Sequence, residues 1–131
     1  MPRFYFEKLV RDKVLDRCLE DPKVKTTYRV LGNTEFVSEL IKKVQEEAAE
    51  IPVKDSVDEE VLEEVADLRT AVKTLQNALG ITDEDLEAVQ QKKDDKNGVF
   101  EQRAYIEFVD LEEDSEWVEV FRKQPEKYRE E

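Results

Sequence analysis

Hydrophobic residues recur every three or four positions along most of the chain, and this period predicts amphipathic α-helices. Helices are expected over residues 9–20, 34–51, 58–79 and 82–96. The second and third are the longest, and each carries one apolar stripe. The stripes comprise Val37, Leu40, Ile41, Val44, Ala48 and Ile51 on the second helix, and Val61, Val65, Leu68, Val72, Leu75 and Leu79 on the third. Because the connector between these two helices is short, they should pack antiparallel.

Residues that favour helix ends mark the boundaries of these segments. Thr34 is the expected N-cap of the second helix. Ser56 and Glu59 have the spacing of a capping box before the third helix, and Gly80 follows its end as a C′ residue. Thr82 then caps the fourth helix, which carries acidic residues in its first turn and lysines in its last, in agreement with the helix dipole.

Two segments depart from the helical period. Residues 27–31 (TYRVL) are rich in residue types that favour strands, and apolar residues alternate with others over 104–109. Both segments are therefore predicted to be strands that pair with each other. Residues 117–121 fit either a strand or a short helix, and residues 125–131 are expected to fray. The predicted fold is therefore mainly α, an antiparallel helical bundle with a small antiparallel β element. A single domain over 1–131 accounts for the whole sequence.

Composition excludes several kinds of chemistry. The 131 residues include no histidine, one cysteine (Cys18) and three dispersed glycines. Serine and cysteine hydrolases with a catalytic histidine, zinc sites rich in histidine or cysteine, and glycine-rich phosphate loops are thereby excluded. Charged residues make up 42% of the chain and the net charge is −13, so we expect no nucleic-acid or membrane partner. No signal peptide is recognised at the start, and a reducing cytoplasm is the expected location.

Carboxylates form the most informative pattern. Glu47 and Glu50 lie one turn apart on the second predicted helix, and Glu64 and Asp67 lie one turn apart on the third. Counted from the connector, the four residues reach similar heights on the two helices. Glu64 falls within the edge of the apolar stripe, where an uncompensated carboxylate is costly.

A divalent cation would compensate these carboxylates, because Mg²⁺ prefers oxygen ligands and keeps positions for water and phosphate oxygens. The alternative is that the pairs lie on solvated helix faces, as many acidic pairs do in a chain with 34 acidic residues. From the residues alone, a metal site and a solvated acidic face both remain open, and no reaction is specified.

The ExxE and ExxD pairs, together with two basic segments, resemble the all-α NTP pyrophosphatase superfamily. This superfamily includes MazG-like proteins, dimeric dUTPases and phosphoribosyl-ATP pyrophosphohydrolases. Lys8-Leu9-Val10-Arg11-Asp12-Lys13 is similar to a motif of a predicted house-cleaning branch, and so is the stretch from Lys92 to Arg103. The resemblance covers about residues 6–108 and leaves 110–131 as an acidic C-terminal extension.

The resemblance implies Mg²⁺-dependent hydrolysis of a nucleoside triphosphate to the monophosphate and pyrophosphate, with Mn²⁺ as an alternative cation. Glu47, Glu50, Glu64 and Asp67 would be the metal ligands, and Glu46 would activate water. It further implies a homodimer or a dimer of dimers. The basic residues that would bind phosphate are Lys8, Arg11, Lys13, Lys92, Lys93, Lys96 and Arg103.

Two other functions compete with this one. A dUTPase-like or phosphoribosyl-ATP hydrolase would share the metal site and differ in substrate. A non-catalytic acidic helical protein that binds a basic partner would explain the charge of −13 without a metal, but would not explain a carboxylate on the apolar stripe.

Overall fold

The structure, a computed structural model, describes all residues 1–131 and contains five helices that comprise about half of the chain. They are α1 (Asp12–Glu20), α2 (Asn33–Ala49), α3 (Glu59–Ala78), α4 (Asp83–Asn97) and α5 (Trp117–Arg122). The mainly helical fold is thus confirmed. None of the helices is long and apolar enough to cross a membrane.

The predicted β element is absent. Residues 27–31 and 104–109 form no strand, and Val30 and Tyr105 are almost fully exposed. A strand is stable only when a neighbouring strand satisfies its backbone and when one of its faces is covered. Alternation along a segment therefore does not suffice where no partner strand is in place.

The chain divides into two compact units, Met1–Lys92 and Lys93–Glu131. In the first unit α2 and α3 pack against each other and are joined by residues 50–58. Their contact surface carries a small core, in which Leu40 and Ala71 are buried. This helix pair is the framework of the candidate site.

Three helix ends in this unit follow from local hydrogen bonds. Gly32, not Thr34, precedes the first residue of α2. Asp58, not Ser56, caps α3, because its carboxylate accepts a hydrogen bond from the Val61 N–H at 3.0 Å. Gly80 ends α3 as predicted: its φ of +73° and the bonds from its own N–H and the next N–H to the last turn form a Schellman motif.

The inward face of α3 is rotated from the predicted stripe. Val61, Leu68 and Leu75 are partly buried as expected, and Ala71 completes this face. Val65, Val72 and Leu79 are instead 43–52% exposed. The apolar residues of α3 therefore form two adjacent columns along the helix. A single helix, α2, covers one column and leaves the other exposed.

The second unit contains the end of α4 and α5. Phe121 on α5 lies 5.8 Å from Trp117 and 4.6 Å from Tyr128, measured between ring centroids. Arg122 also pairs with Glu130 at 2.8 Å. Residues 125–131 therefore fold back on α5 and are not frayed as predicted, because aromatic packing holds them.

Candidate metal centre

Three carboxylates from the α2–α3 pair converge at one place. Glu47 lies in the last turn of α2, and Glu64 and Asp67 lie one turn apart on α3. One oxygen from each side chain lies within 4.8 Å of the others, a grouping that could hold a metal ion. The helical spacing produces this arrangement: Glu47 is seven residues after buried Leu40, and Glu64 is seven residues before buried Ala71, so both residues point into the helix contact.

Two oxygens of these side chains are buried without a partner. Glu47 is only 8% exposed, and its Oε2 accepts no hydrogen bond. Glu64 Oε2 is likewise buried and unpaired. A buried carboxylate oxygen without a hydrogen bond or a counter-ion is strongly destabilising. A bound cation would satisfy both atoms at once, so the donor set fits a hard divalent ion.

The electrostatics of Glu64 reflect this crowding. Burial raises the pKa of Glu64, and the charge and hydrogen bond of Glu50, followed by the charges of Asp67 and Glu47, raise it further. Burial and the neighbouring carboxylates both disfavour the ionised form of Glu64, and a bound cation would counteract both effects. Glu50 thus lies beside the cluster, although it is the exposed C-cap of α2 and outside the group of three.

Three basic side chains pair with carboxylates of the cluster or beside it. Arg11 Nη2 donates to Asp67 Oδ1 at 2.7 Å, and Lys8 Nζ donates to Glu46 Oε1 at 3.0 Å. Lys43 Nζ lies 3.3 Å from Glu47 Oε1. Five carboxylates, counting Glu46 and Glu50, therefore face three basic groups, and an excess of negative charge remains.

No protein-family model, curated protein or solved structure matches the chain.

The candidate site therefore stands on its geometry. Of the four ligands that the sequence predicts, the structure brings Glu47, Glu64 and Asp67 together and leaves Glu50 at the edge. As the C-cap of α2, Glu50 keeps a helical backbone, and its carboxylate meets that of Glu64 without joining the group of three.

Glu46, the predicted water-activating residue, is half-buried beside the cluster. Lys8 first, through its hydrogen bond, and Lys43 by its charge hold the pKa of Glu46 below its usual range. While these pairs are formed, Glu46 is a weak base.

The predicted phosphate-binding residues belong to both units. Lys8 and Arg11 lie at the cluster, whereas Lys13 is exposed on α1 and has no ion pair. Lys92 is an exposed residue of α4 at the end of the first unit. The remaining residues, Lys93, Lys96 and Arg103, belong to the second unit, and their role stays a prediction.

Sequence reasoning missed Lys43. It precedes Glu46 by three residues and Glu47 by four, and these spacings place oppositely charged side chains on one helix face. This spacing would have identified Lys43 as the internal counter-ion of the cluster.

Proposed function

We propose that the chain is a Mg²⁺-dependent nucleoside triphosphate pyrophosphohydrolase, located in the cytoplasm, that releases a nucleoside monophosphate and pyrophosphate. The observation that supports a metal enzyme is the convergence of Glu47, Glu64 and Asp67, with two buried oxygens that lack a partner. The nucleotide substrate and the house-cleaning of modified or surplus nucleotides rest on the resemblance of the three sequence motifs.

In this proposal the three clustered carboxylates hold the cation, and Glu50 completes the set from the C-cap of α2. Bound Mg²⁺ would neutralise triphosphate oxygens and acidify a coordinated water. The carboxylates leave coordination positions for both, since Mg²⁺ takes six oxygen ligands and usually keeps several waters. Glu46 would accept the proton of the attacking water after Lys8 leaves it.

Lys8 and Arg11 would bind the phosphates beside the metal. Their side chains are 48% and 57% exposed, so a substrate can reach them. A cationic pair beside the metal is needed in a chain of charge −13, because the protein otherwise repels a polyanion.

The proposed partner is a second copy of the chain, as a homodimer or a dimer of dimers. Leu62, Val65, Val72 and Leu79 form an exposed apolar column along α3, while the first unit buries only Leu40 and Ala71 among its apolar residues. A column of this length on a helix with so small a core is typical of a helix-bundle interface. Analytical ultracentrifugation should show a dimer that Val72→Lys dissociates and that Thr70→Lys, outside the column, leaves intact; a monomeric wild type would refute this arrangement.

The activity is tested by release of pyrophosphate from a panel of nucleoside triphosphates, with Mg²⁺ and with EDTA. The panel should contain dUTP and phosphoribosyl-ATP, because a preference for either identifies the dUTPase-like or the phosphoribosyl-ATP alternative. Glu47→Gln and Glu64→Gln should abolish release. Glu63→Gln is the matched control, because Glu63 is an exposed neighbour on the same helix.

The charge of −13 favours one other function, a non-catalytic protein that binds a basic partner. It predicts no pyrophosphate release from any nucleotide and no change of stability with Mg²⁺. That result, with all variants folded, would overturn the hydrolase proposal.

A further inference from the structure

Residues 8–11 reach the acidic cluster from a distant part of the sequence. The ion pair of Lys8 with Glu46 joins residues 38 positions apart, and that of Arg11 with Asp67 joins residues 56 apart. We refer to Lys8 and Arg11 together as the N-terminal clasp. Both of its side chains end on carboxylates at or beside the three candidate ligands.

Within residues 8–11 Leu9 is partly buried and the other three residues are exposed, so few contacts besides the clasp hold this segment in place. Residues 1–8 are exposed and precede α1, which does not pack on α2 or α3. Glu7 adopts a φ of +49°, which is unfavourable for a residue with a side chain. Both ion pairs are partly solvated, and pairs of this kind contribute little and break readily.

The clasp also matches a divalent cation in charge. Lys8 and Arg11 together bring two positive charges, the charge of one Mg²⁺. Lys8 donates its hydrogen bond to Glu46, and this bond, followed by the charges of Glu46, Glu50 and Glu47, raises the pKa of Lys8. Replacement of the clasp by one cation would leave the charge of the site unchanged, whereas binding of the cation beside the clasp would add two charges.

We propose that the N-terminal clasp is a built-in substitute for the cation: Lys8 and Arg11 neutralise the carboxylates of the cation-free chain, and divalent cation binding displaces both, which frees the segment for an incoming polyphosphate. This inference rests on the proposed metal site and extends it to the order of events.

In the opposite role, the clasp would hold a ligand carboxylate in the orientation that binds the cation. Partners of that kind strengthen metal binding, and their removal weakens it about 10- to 100-fold. A substitute does the reverse, because the cation must compete with it. The sign of the change in cation affinity therefore separates the two roles.

The first test is titration of the full-length protein with Mn²⁺ and with Mg²⁺ by calorimetry. Lys8→Gln and Arg11→Gln should each tighten binding about two- to fivefold, the range expected for loss of one exposed ion pair. The double variant should bind more tightly than either single variant. Lys23→Gln removes a charge from an exposed residue of the same unit that forms no ion pair, and should leave the affinity at the wild-type value.

The second test follows release of the segment in the wild type. Trypsin should cleave after Lys8 several-fold faster with saturating Mg²⁺ than with EDTA, because the freed side chain becomes accessible. Cleavage after Lys25, an exposed residue between α1 and α2, reports any general effect of Mg²⁺ on the protease and should not change.

The outcomes distinguish this inference from the proposed function. A wild type that binds no cation overturns both. A wild type that binds, together with weaker or equal binding by the clasp variants, overturns the clasp alone. Tighter binding by the variants without faster cleavage after Lys8 also overturns it, since the charges would then act at a distance without leaving the site.

Discussion

Glu47→Gln should make the cation-free protein more stable and remove its response to Mg²⁺. The side chain is 8% exposed, and its Oε2 has no partner. Glutamine keeps the shape and replaces one oxygen by an N–H₂ group. One oxygen of Glu47 lies within 4.8 Å of an oxygen of Glu64 and of Asp67, so a rotation of the side chain would let the amide donate to either carboxylate.

The change in the free energy of unfolding is the balance between the hydrogen bond that glutamine gains and the ion pair that glutamate loses. A hydrogen bond to a charged acceptor contributes about 1.5–3 kcal/mol. The ion pair with Lys43, at 3.3 Å and with the lysine 21% exposed, is lost. Because both side chains are largely covered, we take the upper end of the range for exposed pairs, about 1 kcal/mol. We therefore expect the variant to be more stable than the wild type by roughly 0.5–2 kcal/mol in EDTA.

With Mg²⁺ the order reverses. A ligand at one hundred times its Kd stabilises the native state by about 2.7 kcal/mol, and only the wild type should gain this. Urea denaturation of both proteins, in EDTA and in saturating Mg²⁺, measures the crossing directly. Glu63→Gln carries the same change of charge on an exposed position and should follow the wild type in both conditions. A variant that is destabilised in EDTA and still gains stability from Mg²⁺ would refute the assignment of Glu47.

The remaining predictions concern the framework of the site. Leu40→Ala, which empties the main buried position of the helix contact, should destabilise the protein by about 2 kcal/mol or more in urea; an unchanged midpoint would contradict the proposed core. Gln76 is buried and donates hydrogen bonds to the backbone after α3 and to Asp83, so Gln76→Leu should cost about 1–3 kcal/mol in the same assay, and a neutral result would mean that these bonds contribute nothing. The hydrogen bonds from Lys73 and Gln76 lower the pKa of Asp83; because the folded-state pKa is the lower one, this contribution is complete above the unfolded-state pKa and disappears as the pH falls through the folded-state value. Asp83→Asn should therefore reduce the loss of stability in acid, and an unchanged acid profile would exclude the pair. Asp58→Ala removes the cap of α3 and should lower the Tm by a few degrees; Asp58→Ser should restore most of it.

The helices were predictable because their signals are local. The end of α3 at Gly80 requires a positive φ and two bonds to the preceding turn, and glycine provides the first without strain. The start of α4 follows from the Thr82 hydroxyl, which accepts from the Asp85 N–H. The predicted strands failed because pairing depends on a second segment, and the alternation within residues 104–109 carries no information about it.

In the candidate site, too, the local features could be predicted from the sequence and the long-range contacts could not. Glu47 and Glu64 follow from helical register, since each repeats the direction of a core residue seven positions away. Neither contact of the N-terminal clasp could be predicted from spacing. Lys8 and Arg11 lie outside any helix interior, and their pairing depends on where the chain before α1 lies in three dimensions.

The small core and the buried carboxylates together would couple folding to a cation bound at the proposed site. Helices of this length are held mainly by packing of their apolar faces, and here Leu40 and Ala71 are the buried apolar residues between α2 and α3. The same contact surface also contains unpaired carboxylate oxygens of Glu47 and Glu64, which oppose the packing. The free energy of unfolding of a domain is only about 5–15 kcal/mol. A partner for these two buried oxygens would therefore change a large fraction of it. Cation binding would therefore stabilise the α2–α3 pair itself, and a cation-free preparation should be the form in which this pair opens most readily.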